Sequence, residues 1–255
     1  VARLVGSEMC IRDRIDVLRL KPSYHNSGLE QAGQLGSIVT AMMAVATGLC
    51  RHVLCFRTVW EATYVQLQRT GKIRYSGGGG RLSGGMEYRI PYGAASAANW
   101  IGMFCSRYMH DYGLTKEQLG QSPLNGRRNA ALNPYAVYRE PMTMEDYLSA
   151  RVVSSPLGLF DCDVPCDASV AFVISHVDAV KDSRRGRGVG FEAVGTANTE
   201  RVSWDQGDLH YLSGIDGAAK MLRPRTVLKP MDMDMAPLDD GFSFIPVCGL
   251  EKLGV

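Results

Sequence analysis

Residues 133–175 read NPYAVYREPMTMEDYLSARVVSSPLGLFDCDVPCDASVAFVIS. Asn133-Pro134 closes whatever helix precedes it, because the ring of a proline disfavours helical backbone at the residue before it. Thr143 with Asp146 has the Ser/Thr-x-x-Asp/Glu spacing of a helix start ahead of Tyr147 and Leu148. Pro156 interrupts the next crossing, and 168–174 is an apolar run of strand length. The stretch therefore predicts a turn, a short capped helix, a proline-broken crossing and a buried strand, in that order.

Upstream, 35–47 predicts a helix. Ile38, Val39, Ala41, Met42, Met43, Ala44, Val45 and Ala46 leave almost no polar face, and a helix apolar all round is buried on every side. Ser37 is its expected N-cap and Gly48 its stop. The run 53–56 is a second buried strand. A buried helix feeding a buried strand predicts layers on both sides of each, an α/β protein. The run 61–69 reads as a helix and the Gly-rich 75–85 as a mobile loop. Ala97, Trp100, Ile101, Phe104 and Tyr108 set helical spacing over 94–112, with Gly113 as its end. Thr115 caps another helix, which 125–131 extends. Downstream, 192–196 predicts a weak strand and 209–222 a helix. Met and Asp alternate over 231–235, which predicts a strand with one apolar and one acidic face. The run 242–253 is a helix stopped by Gly254. Residues 6–14, GSEMCIRDR, have neither periodicity; they resemble the translated read-through of a sequencing adapter, and 1–14 are set aside from the fold.

The 255 residues are 45% hydrophobic and 21% charged, with a net charge of +2, the balance of a globular chain with room for a large core. No dense Lys/Arg stripe is present, which argues against nucleic acid as a partner. Arg184, Arg185 and Arg187 read as a solvated loop. The scattered, odd set of seven cysteines fits a reducing, cytoplasmic compartment. No apolar run reaches the ~20 residues of a membrane span.

Chemistry-bearing motifs are sparse. The Gly-rich loop lacks GxxxxGK[ST], so a phosphate cradle is not indicated. Cys162 and Cys166 have no second Cys/His pair at a fitting spacing, so no metal is expected. Asp232 and Asp234 read as a solvated strand face. Asp239 and Asp240 precede a helix, where the macrodipole favours acidic residues. His25, His52, His110, His176 and His210 stand in no Ser-His-Asp or Cys-His setting, and each is read as structural.

In order along the chain, several segments resemble the thiolase superfamily, in its sterol-carrier or lipid-transfer branch. They are 37–56 (SIVTAMMAVATGLCRHVLCF), 107–113 (RYMHDYG), 128–134 (RNAALNP), 161–171 (DCDVPCDASVA), 238–243 (LDDGFS) and 250–254 (LEKLG). The resemblance implies a layered αβαβα thiolase fold, C-terminally incomplete. Residues 15–185 would form the N-terminal half with its loop domain at about 70–160, and 186–255 would begin the C-terminal half. It implies an enzyme making or breaking a carbon–carbon bond in an acyl-CoA, with no bound cofactor beyond the coenzyme A of the substrate. A homodimer and, in the aldolase branch, a small OB-fold partner are also implied. Thiolases place a nucleophilic cysteine at the N-terminus of the buried helix, where a thiolate is favoured. Here 31–37 read QAGQLGS, without one, and Ser37 cannot substitute without a base, since an unactivated alcohol is a poor nucleophile.

One subgroup of the branch lacks that cysteine and cleaves steroid side chains by a retro-aldol step, which needs a base and an enolate stabiliser rather than a nucleophile. That subgroup carries Tyr-Asp-Gly-Phe where this chain has Asp239, Asp240, Gly241 and Phe242. Asp239 and Asp240 are therefore the candidate catalytic residues, with Asp239 in place of the family's tyrosine and dependent on burial to act as a base. Tyr92 and Gly93 are candidate substrate-lining residues. The alternatives are an acetyl-CoA acyltransferase and a non-catalytic thiolase-like scaffold or lipid-transfer subunit.

Overall fold

A computed structural model of the chain describes residues 19, 21–24, 35–73, 84–182, 187–198, 207–210 and 213–255. The expectations for 1–14, for most of the Gly-rich loop and for Arg184 and Arg185 lie outside the described residues. In chain order the elements are α1 (Gly36–Ala46), β1 (His52–Trp60), α2 (Glu61–Arg69), α3 (Met86–Arg89), α4 (Ala97–Tyr112), α5 (Lys116–Leu119), α6 (Gln121–Ala131), α7 (Met144–Ser149), β2 (Val152–Ser154), β3 (Leu157–Gly158), β4 (Asp167–Ser175), α8 (Ser213–Leu222) and α9 (Phe244–Leu253). The α/β expectation holds. The chain divides into two compact units, one formed by 1–80 with 165–191 and the other by 81–164 with 192–255.

In the first unit β1 and β4 pair antiparallel over their whole length, from His52 opposite Ser175 to Trp60 opposite Asp167. Helix α1 covers one face of this ribbon: Ala41, Val45, Cys55 and Ile174 are buried together, with Ile38, Met42 and Val53 against them. The other face is not covered by the described residues. Leu54 is 44% and its ladder partner Val173 64% exposed. Both strands were expected to be buried, and α1 to be buried all round, yet Met43 is 57% exposed. The composition is that of layers covered on two faces, while only one face is covered among the described residues. Ser37 does not cap α1 either. The cap lies two residues earlier, at Leu35, which is in helical conformation and makes no side-chain bond. Helix α2 follows β1 directly, and its start is capped from across the ladder: Thr63 donates its backbone N–H (3.2 Å) and its hydroxyl to the Asp167 carboxylate.

The second unit is built on α4. Ala98, Ile101, Gly102, Phe104 and Cys105 form its buried stripe; of the residues that set the predicted spacing, Ile101 and Phe104 belong to it, while Ala97, Trp100 and Tyr108 are half-buried. Ile101, Phe104 and Cys105 share a core with Leu119, Leu157, Phe244 and Cys248. Gly113 ends the helix with φ 70°, a left-handed backbone that a β-carbon would strain. Both predicted Thr caps form. Gln118 N donates to Thr115 Oγ1 at 3.2 Å and Asp146 N to Thr143 Oγ1 at 3.1 Å. Residues 125–131 do not extend the Thr115 helix: α6 is separate, after Gly120. Gly120 has a further constraint, since a β-carbon there would lie 2.6 Å from the ring of the buried Tyr147. Gly120→Ala should therefore destabilise the chain by about 1–3 kcal/mol, the range for overpacking a filled core. The shift in the urea unfolding midpoint measures this.

Three further expectations are corrected. Residues 192–196 form no strand. They are held by side chains instead, with the Thr226 hydroxyl donating to Glu192 Oε1 (3.0 Å) and Arg225 Nη1 to the Val194 carbonyl (3.2 Å). Residues 231–235 are not a strand. Pro230–Asp232 is a 3-10 turn in which Lys229 N donates to Asp232 Oδ2 at 2.7 Å, and Met231, Met233 and Met235 are all exposed. The last helix begins at Phe244 rather than Phe242, because 241–243 are engaged elsewhere.

Candidate functional site

That engagement builds the site. Asp163 N donates to the Gly241 carbonyl at 2.9 Å and Ser243 N to the Asp161 carbonyl at 3.0 Å, while Cys162 and Phe242 form an antiparallel bridge. The segment carrying Asp239 and Asp240 is thus laid along 161–163 as a short ladder. Asp239 Oδ1 accepts from Gly241 N at 3.1 Å, closing a local Asx turn. Asp240 stands over α6: a β-carbon on Gly126 would lie 3.8 Å from its Oδ2. Both carboxylates are exposed, so the burial that would help an aspartate act as a base is not provided by the described residues. An open cavity of about 530 Å³ lies on α6, lined by Gln121, Leu124, Asn125 and Arg128 together with Pro141 and Met142.

Tyr92 and Gly93 end a 3-10 turn before α4. Tyr92 is 86% exposed, and Gly93 has φ 70°. No hydrogen bond or ion pair joins either of them to Asp239 or Asp240, and neither lines the cavity on α6. A second open cleft, of about 440 Å³, runs along α4 past Asn99, Met103, Ser106, Arg107 and His110. Beside it Arg107 and His210 both reach Asp111, at 2.6 Å and 3.0 Å, and these bonds hold the Asp111 carboxyl below the usual carboxylate range, Arg107 first.

Sequence reading missed the most tightly held polar group of the unit. Asp161 is 1% exposed. Its Oδ1 accepts from the Tyr147 hydroxyl (2.6 Å) and the Ser243 hydroxyl (2.5 Å), and its Oδ2 from Gly158 N (2.7 Å) and the Lys116 ammonium. Lys116 also donates to the Pro156 carbonyl at 2.9 Å and lies 4.7 Å over the Tyr147 ring. Burial, and then the bond to Asp161, push the Tyr147 hydroxyl well above the usual tyrosine range. The one local hint of this node is an aspartate set directly after the run Leu157–Phe160.

Cys55, Cys105 and Cys248 offer no ready thiolate. Cys55 Sγ donates to the Ser37 carbonyl, 3.7 Å away in the first turn of α1, and burial raises its thiol. Burial likewise pushes Cys105 and Cys248 up to about 12. Among the described residues no three of His, Cys, Asp and Glu converge as a metal site, and no helix is long and apolar enough to cross a membrane.

No family model matches the chain. It is 32% identical over 230 residues to a steroid side-chain-cleaving aldolase of Thermomonospora curvata, covering 86% of this chain and 57% of that one. It is 30% identical over 221 residues to a 17-hydroxy-3-oxo-4-pregnene-20-carboxyl-CoA lyase of Mycobacterium tuberculosis, covering 84% and 56%. Acetyl-CoA acetyltransferases and sterol carrier protein 2 are also among its relatives. A solved structure titled Ltp2-ChsH2(DUF35) aldolase superposes with a TM-score of 0.68 at 27% identity, over 88% of this chain and 57% of that one. The chain thus spans somewhat over half the length of the aldolase, the lyase and the solved chain.

Proposed function

The chain's kin are those of the thiolase superfamily's sterol-carrier branch, its aldolases included, and on that premise we propose that it belongs to an enzyme cleaving a carbon–carbon bond in a β-hydroxyacyl-CoA of a steroid side chain by a retro-aldol step. One observation favours this over acyl transfer. The first turn of α1, where an acyl-enzyme would need a thiolate, offers Ser37, and the nearby Cys55 thiol is raised by burial. A retro-aldol needs no covalent intermediate. The base takes the β-hydroxyl proton, the oxygen's electrons form a ketone, the Cα–Cβ bond breaks, and its electron pair passes into the thioester enolate, which is then protonated at carbon.

In this reading Asp239 or Asp240 takes the proton, and Tyr92 and Gly93 line the substrate. The two units belong to the layered αβαβα thiolase fold, and coenzyme A enters only as part of the substrate. The protein acts in the cytoplasm as a homodimer with a small OB-fold partner. The exposure of Asp239 and Asp240 favours, as a second reading, a scaffold that leaves the chemistry to its partner.

The test incubates the complete enzyme, alone and with its co-purifying partner, with a steroid β-hydroxyacyl-CoA, and follows ketone and shortened acyl-CoA by mass spectrometry. Both products are expected in equal amounts. Acyl transfer between acyl-CoAs without cleavage would replace the aldolase reading with a thiolase one. Turnover carried wholly by the partner would establish the scaffold.

A further inference from the structure

We propose that Asp161 is a positioning residue whose buried carboxylate, acting through Ser243, sets the 239–242 turn. This inference rests on the aldolase reading of that turn. Among the described residues Asp161 and Ser243 are the two buried polar residues, at 1% and 3% exposure. They are joined twice, by Ser243 N to the Asp161 carbonyl (3.0 Å) and by the Ser243 hydroxyl to Oδ1 (2.5 Å). The first bond belongs to the short ladder that carries the turn. The second is charge-assisted and roughly twice as strong as a neutral bond, and it fixes the residue immediately after Phe242.

The far side of the carboxylate is held by Gly158 N and Lys116, and Tyr147 shares Oδ1. Asp161 therefore cannot move without dragging three segments that are packed into the core. Immobility at the Asp161 carboxylate passes to the turn through the Ser243 hydroxyl, beside the two backbone bonds of the ladder. Asp239 adds to it only the local bond from Gly241 N, and Asp240 makes no hydrogen bond or ion pair among the described residues. The exposed carboxylates thus owe their placement to a buried one.

A purely structural knot would treat its donors alike, and this separates the two accounts. Ser243→Ala and Tyr147→Phe each remove one hydroxyl donor of nearly equal length from the same oxygen. Only the first donor sits on the turn. In the complete enzyme, Ser243→Ala is expected to lower kcat by about 10–100-fold with KM within a few-fold, as a displaced reacting group does. Tyr147→Phe should change kcat by less than about 3-fold at a similar cost in stability.

Hydrogen exchange gives a readout that needs no turnover. The amides of residues 163 and 243, which close the short ladder, should exchange faster in Ser243→Ala and at the wild-type rate in Tyr147→Phe. Equal kcat losses in the two variants, or unchanged exchange at 163 and 243 in Ser243→Ala, would overturn the proposal. If wild type gives no cleavage but the exchange contrast is seen, the aldolase reading fails while the coupling of Asp161 to the turn stands.

Discussion

Asp161→Ala is expected to cost the chain about 3–5 kcal/mol, the range for removing one partner of a buried ion pair. The loss has identifiable parts. Tyr147, Ser243 and Gly158 would each keep a buried donor with no acceptor, and an unsatisfied buried donor costs roughly 1–3 kcal/mol. Lys116 is better placed, because its side chain is 28% exposed and its ammonium keeps the Pro156 carbonyl. Water can also enter the space left by a carboxylate and recover part of the loss, which keeps the expectation below the simple sum. Asp161→Asn should recover only part of it. Four donors converge on two oxygens, and an amide presents one oxygen and one NH2 with two N–H donors, so two of the four would face that NH2 group. Urea unfolding followed through Trp100, which lies in the same unit, measures both variants. With a slope of ~1–3 kcal/mol/M, the alanine midpoint should fall by more than 1 M and the asparagine midpoint by less. Midpoints unchanged in both would mean that the carboxylate is hydrated in solution and that the node is not what holds 161–163 to 241–243.

The contrast between what the sequence foretold and what it hid follows from the range of the interactions. Thr115 with Gln118, and Thr143 with Asp146, cap their helices through partners three residues away, so both the residue types and their spacing lie inside one short window. The stripe of α4 is likewise a local period. The Asp161 node draws on partners 14, 45 and 82 residues away, and no pattern along the chain announces that Lys116, Tyr147 and Ser243 converge. The failed strand at 231–235 has the same lesson in reverse. Its alternation was genuine, but a strand exists only with a ladder partner, and Pro230 with the Lys229–Asp232 bond closes a turn instead. The apolar composition of α1 and β4 overstated burial for a related reason: composition records how many faces suit an apolar neighbour, whereas exposure records how many have one. The 239–242 turn was legible through resemblance alone. What keeps it in place was not legible.

Asp239→Asn and Asp240→Asn test the chemistry assigned to that turn. If one of the two carboxylates accepts the β-hydroxyl proton, its asparagine variant should lose ~10²–10⁴-fold in kcat, the usual contribution of a general base, with KM little changed. The substitutions suit this purpose for a structural reason. Asp239 uses Oδ1 as an acceptor for Gly241 N, and an asparagine oxygen accepts the same bond, so the turn is retained. Asp240 makes no hydrogen bond or ion pair among the described residues, so its amide breaks none. A kinetic loss in either variant therefore reports the missing proton acceptor rather than a collapsed loop, and an unchanged unfolding midpoint verifies that. Which variant is silent identifies the bystander. Comparing each with Ser243→Ala then separates loss of the base from loss of its placement: an asparagine at the true base leaves nothing for the Ser243 hydroxyl to position, so the double variant should be no slower than the asparagine variant alone. Wild-type turnover in both asparagine variants would remove the pair from the chemistry and leave the scaffold reading, in which the partner supplies the base.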